Sequence, residues 1–137
     1  MKCLTIRNPW AWAIIFAGKD VENRSWPTRV RGRVAVHVSA SMTRDDYRFA
    51  VEFIAGIAPQ LQVPGFADMQ PLLGHIIGTV EVVDSVRTST SPWYMGDHAH
   101  VLARPVPCTP IPYKGRLGYF EIPADLLPNA DTKGCNR

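Results

Sequence analysis

Cysteine is scarce in this chain: Cys3, Cys108 and Cys135 are three among 137 residues. They are odd in number and widely spaced, which argues against a disulfide framework and offers no paired spacing for zinc. Long apolar runs are lacking too, so no stretch is expected to span a bilayer, and the opening Met1-Lys2-Cys3-Leu4-Thr5-Ile6 enters a strand pattern without a cleavage signature. No metal or cofactor motif and no internal repeat is present. These absences lead us to expect a soluble protein in a reducing compartment, the cytoplasm, with no membrane partner. Charge of one sign is only mildly in excess: the net charge of +3 permits an anionic partner without demanding one.

What is there is ordinary globular composition, with 46% hydrophobic and 20% charged residues, and a length that fits one domain over residues 1–137. The chemistry concentrates between Ala17 and Trp26. This stretch reads as a turn eased by Gly18 and then a short strand, in which alternate side chains share a face. Glu22, Arg24 and Trp26 therefore fall in a row, with Lys19 expected at its mouth. Such a row suits a nucleotide, with cations for phosphate, an indole for stacking a base and a carboxylate to orient Arg24. The same residues also suit a structural ion pair with Trp26 capping the core. Arg24, Arg29, Arg31 and Arg33 cluster nearby, and Lys114 with Arg116 forms a second basic group.

In chain order, Cys3 to Arg7 reads as a strand. Asn8-Pro9 starts a helix, since Asn can cap free amides and Pro lacks the donor that would be orphaned. The helix Trp10 to Ala17 is apolar on every side and is expected to be buried almost all round, with Trp10 in the core or on a pocket wall. Arg31 to Ser39 reads as a strand with Val34, Val36 and Val38 on one face and His37 on the other. Ser41 or Thr43 caps a scaffold helix reaching about Ala55. Residues 57–74 form a long loop with room for short helical turns. His75 to Val86 is a strand in which Gly78 marks a bulge or close approach and Glu81 points into the interior. Trp93 to Asp97 is an aromatic loop that closes over a ligand or packs against the barrel end. His98 to Ala103 is a strand, Pro105 to Pro112 an extended proline-rich passage, and Leu117 to Ile122 the last strand. Residues 129–137 read as a frayed tail. Helices mixed with five or six short strands, without βαβ repetition, favour an α+β domain on a small mixed barrel.

Leu4-Thr5-Ile6-Arg7-Asn8-Pro9-Trp10-Ala11, Gly18 to Trp26, Arg31-Gly32, Val36-His37-Val38-Ser39 and Pro110 to Gly118 together resemble the ASCH domain, a branch of the PUA-like superfamily. In the motif of that family, Lys19, Glu22 and Arg24 match position by position, while Ala17 stands at the glycine place and Gly18 follows it. The resemblance implies a β-barrel edged by helices, with a cleft over the motif for RNA, single-stranded nucleic acid or a modified nucleoside. It points to Asn8, Trp10, Lys19, Glu22, Arg24, Trp26, His37, Lys114 and Arg116 as binding residues.

Three readings follow. The first is an RNA or nucleotide-binding domain. The second is a hydrolase of the same family, with Lys19 and Glu22 as catalytic residues. It would be either a metal-independent ribonuclease, drawing also on Tyr47 or a nearby Ser, or an amidohydrolase on N4-acetylcytidine-like nucleosides, where Glu22 stands in place of a threonine. The third is a protein-interaction domain without ligand chemistry.

Overall fold

The computed structural model of the chain describes residues 1–127. Its frame is one six-stranded sheet curled into a half-barrel. The strands are β1 (Lys2–Ile6), β2 (Val21–Arg24), β3 (Gly32–Val38), β4 (His75–Val86), β5 (His98–Pro112) and β6 (Tyr119–Glu121), in the spatial order β2-β5-β4-β3-β1-β6. Every neighbour is antiparallel except β1 and β3, which run parallel with Thr5 opposite His37. The crossover between these two strands carries the helix α1 (Trp10–Phe16) and the edge strand β2.

The expected alternation in β3 holds. Val34, Val36 and Val38 enter the main core with Leu4, Ile6, Ile14 and Ile77, whereas Ala35 belongs to a second cluster with Cys3 and Phe120. Burial pushes the Cys3 thiol up to about 12, which leaves it an inert core side chain. The start of α1 lies one residue later than expected: Pro9 is the N-cap and makes no side-chain cap bond, while Asn8, just before it, reaches over so that its Oδ1 accepts from the Trp12 amide at 3.0 Å. Only part of the helix surface is covered, however. Ala11, Ala13, Ile14 and Ile15 are buried, while Phe16 is exposed and stacks on half-buried Trp12 at the outer face. The helix packs on the sheet from one side, so an all-apolar sequence still leaves an outward stripe.

The second helix, α2 (Arg44–Ile57), opens on a capping box. Thr43 Oγ1 accepts from the Asp46 amide at 3.0 Å, and Asp46 Oδ2 accepts from the Thr43 amide at 3.3 Å. Residues 57–74 contain the short helix α3 (Phe66–Met69) and a 3₁₀ turn over Gln70–Leu72. They lie against α2, where Tyr47 donates to the Pro64 carbonyl at 2.6 Å and meets the Phe66 ring edge-on. Tyr47 therefore supports this packing and does not reach a site with Lys19, a correction to its candidacy for proton transfer.

Three expectations along the later strands change. The strand predicted over His98–Ala103 and the proline-rich passage after it are one element, β5. Its prolines fall beyond Val101, where β2 no longer pairs with it and only β4 flanks it, so the missing donors are tolerated. Glu81 points to the surface and pairs with Arg104 at 2.5 Å, because Arg104 on the neighbouring strand offers a charged partner outside the core. The last strand is shorter than predicted, Tyr119–Glu121. Gly78 is a point of close approach, as expected: a Cβ there would lie 2.5 Å from the Val106 carbonyl oxygen. The frayed tail expected at 129–137 lies outside the described residues. Among those described, no helix is long and apolar enough to cross a membrane.

Candidate functional site at the seam of the half-barrel

Curling brings the two ends of the sheet together without a backbone ladder between them. Strand β2 forms one end; at the other, β6 pairs only with Lys2–Leu4 of β1, leaving Thr5 beyond that pairing. Side chains bridge the gap. Arg24 Nη2 donates to the Thr5 carbonyl at 2.9 Å. Farther along, the Tyr119 hydroxyl lies 2.9 Å from His100 Nδ1, and His100 Nε2 lies 3.0 Å from the Trp26 carbonyl. A carbonyl can only accept, so Nε2 carries the proton and Nδ1 accepts from Tyr119. Desolvation holds the His100 pKa below its usual value, in keeping with this neutral form, and pushes the Tyr119 hydroxyl upward.

Glu22 and Arg24 share a face as the alternation predicts, with Arg24 Nε donating to Glu22 Oε2 at 3.0 Å. Lys19 does not stand at the mouth of the row. It is only 3% exposed, donating to the Val21 carbonyl and to Glu22 Oε1 at 3.3 Å, with its ammonium 5.8 Å from the centre of the Trp10 ring. The turn at Gly18 folds the lysine back under α1, which strand alternation cannot foresee. Desolvation lowers the Lys19 pKa, and Glu22 opposes that shift. The row is therefore layered, with a buried cation below, a carboxylate in the middle and a guanidinium above.

Over this layer lies a cavity of about 760 Å³, walled by Arg7, Trp10, Glu22, Arg24, Trp26 and Arg116 among others. Trp26, 42% exposed, lies beyond the end of β2, with the Arg24 guanidinium carbon 5.5 Å from its ring centre. Trp10 is half-buried and meets Phe53 and Phe49 edge-on, so it is both core and wall. Arg7 is held by Asp46 at 2.9 Å. Arg116 is exposed and makes no ion pair among the described residues.

Five of the residues expected to bind thus meet at this cavity: Trp10, Glu22, Arg24, Trp26 and Arg116. The other four do not reach its wall. Asn8 is fully buried in the turn before α1, where its amide oxygen accepts from the Trp12 amide. Lys19 lies beneath. His37 is buried, receiving from Thr5 and donating to the Tyr113 carbonyl at 2.6 Å, and Lys114 lies with it beside a neighbouring hollow. The aromatic loop packs instead of closing over the cavity: Trp93 is buried against Phe53, and Asn23 donates to its carbonyl at 3.0 Å. Sequence reasoning missed His100, which fixes Trp26 from 74 positions away, and Thr5, whose carbonyl anchors Arg24. Only the pairing of β2 with β5 reveals the first. Among the described residues, no group of three His, Cys, Asp or Glu side chains is placed to hold a metal ion.

No curated protein matches the chain. The family model of the ASCH domain matches residues 4–121, which include both ends of the seam and every wall residue named above. With nearly the whole described chain inside that match and an α+β half-barrel of the PUA-like kind beneath it, the protein belongs to the ASCH domain family.

Proposed function

We propose that the seam cavity binds RNA or a nucleotide, a base stacking on Trp26 and phosphate meeting Arg24 and Arg116. The observation that carries this reading is the exposed indole set beside a guanidinium at the lip of a cavity of about 760 Å³. Ligand sites of roughly 300–1,000 Å³ are the usual size for small molecules. His100 anchors the Trp26 backbone through its carbonyl, and the Arg24 guanidinium lies against the indole itself. Glu22 has both oxygens engaged but keeps lone pairs for an exocyclic amine.

Titration with a short single-stranded RNA tests the proposal, with Trp26→Ala as the diagnostic variant. Losing one stacking platform costs about 1–3 kcal/mol, or roughly 5- to 150-fold in affinity. Unchanged affinity in Trp26→Ala would remove the indole from the proposal.

The Lys19–Glu22 pair favours a second reading, hydrolysis of RNA or of an acylated nucleoside. There Glu22, the member of the pair that reaches the cavity, acts as general base, and the buried lysine 3.3 Å away holds its carboxylate in place. Turnover by wild type that disappears in Glu22→Gln with binding retained supports this reading, and absence of turnover on RNA and on N4-acetylcytidine removes it.

A further inference from the structure

A second hollow of about 490 Å³ adjoins the first and is lined by His37 and Lys114; the two share Thr5, Ser39, Arg116 and Leu117. The segment between them, Tyr113 to Gly118, is firmly held at its start. The Tyr113 amide donates to the Gly74 carbonyl at 3.0 Å, and its own carbonyl accepts from His37. Gly115 lies so close to the Thr5–His37 pair that a Cβ would come within 2.7 Å of Thr5 Oγ1 and 2.9 Å of His37 Cε1. Beyond the tip, Gly118 adopts a φ of +65° and Tyr119 joins His100. The tip itself is different: Leu117 is 99% exposed, next to Arg116 and near Lys114.

Resting on the nucleotide reading above, we propose that the site takes a single strand of at least two nucleotides, one base in each hollow. Leu117 is the wedge between the bases, and Arg116 and Lys114 meet the phosphates. An apolar side chain raised between two hollows and flanked by cations matches the way apolar wedges separate neighbouring bases. The charge at the tip matches a phosphodiester backbone and leaves a purely apolar partner without a counterpart.

The test is calorimetric titration with uridine 5′-monophosphate, uridine 5′-diphosphate and 5′-phosphorylated UpU, and with the thymidine counterparts. The diphosphate supplies extra charge without a second base. The dinucleotide is expected to bind about fivefold or more tightly than either, the lower end of what one further base contact adds. In Leu117→Ala that ratio should fall to less than about twofold. Full exposure of Leu117 keeps this variant folded. A gain in the ribo arm, the deoxyribo arm or both supports the proposal and identifies the strand. A dinucleotide no tighter than the diphosphate, or a ratio that survives Leu117→Ala, overturns it while leaving the nucleotide reading intact. No binding of any probe removes both.

Discussion

Among the described residues, Glu22 is the carboxylate that pairs with both Lys19 and Arg24, and replacing it with alanine tests the layered arrangement directly. At 3.3 Å the Lys19–Glu22 attraction is about 5 kcal/mol for an effective dielectric near 20. Removing one partner of a buried pair generally costs about 3–5 kcal/mol, because the other charge is left desolvated. Arg24 keeps the Thr5 carbonyl and some solvent, so the deficit comes mainly from Lys19, whose side chain is 2% exposed. The cavity above Glu22 can admit water to the lysine once the carboxylate is gone, which favours the lower half of the range, about 3–4 kcal/mol. With an unfolding entropy of about 2.1 cal/mol/K per residue over 137 residues, Glu22→Ala should lower Tm by about 10–14 °C at neutral pH.

The pH dependence gives that prediction a signature. The Lys19 pKa lies below 10.5 in the folded protein and falls further once Glu22 stops opposing desolvation. Between the folded value and 10.5 the unfolded chain binds more protons, so stability rises with pH. The deficit of Glu22→Ala should therefore shrink as the pH is raised from about 7 toward about 10. In a Lys19→Met background that pH-dependent recovery should vanish. Thermal melts followed by circular dichroism measure all four proteins. A Tm drop under about 3 °C, or a deficit equal at both pH values, would refute the buried-pair reasoning.

Further expectations concern the rest of the seam. If Arg24, Arg116 and Lys114 meet phosphate, affinity for a short single strand should weaken about 20-fold between about 50 and 200 mM salt, and a flat titration would count against phosphate contact. His100, whose folded pKa is lowered, contributes stability that is complete above 6.5 and lost as pH falls toward the folded value. Melts at pH 7 and pH 5 should accordingly show a larger acid loss in wild type than in His100→Gln; equal losses would place the acid sensitivity elsewhere. Gly115→Ala should cost about 1–3 kcal/mol by overpacking, since Thr5 and His37 are tied to each other and cannot move aside. An unchanged urea midpoint would show that the loop yields.

Local rules made much of this fold legible. The valines of β3 and the capping box at Thr43 each act within one element, where side-chain period and backbone satisfaction decide the outcome. Legibility ended where a second element supplied the deciding contact. Four prolines argued against a strand at 105–112, yet β5 is flanked there by β4 alone. Glu81 turned outward to Arg104, and Lys19 turned under Trp10. At the site, Glu22 and Arg24 could be paired from alternation, whereas the carbonyl of Thr5 and the ring of His100 join them through the curl of the sheet.

That curl leaves a wall fastened by individual latches along one line: Arg24 to Thr5, and Tyr119 through His100 to Trp26. A backbone ladder zips cooperatively, but latches release one at a time, so this line is the barrel's softest direction. A guest seated there would touch both margins at once and act as an additional clasp. Recognition and closure of the barrel would then be the same mechanical event.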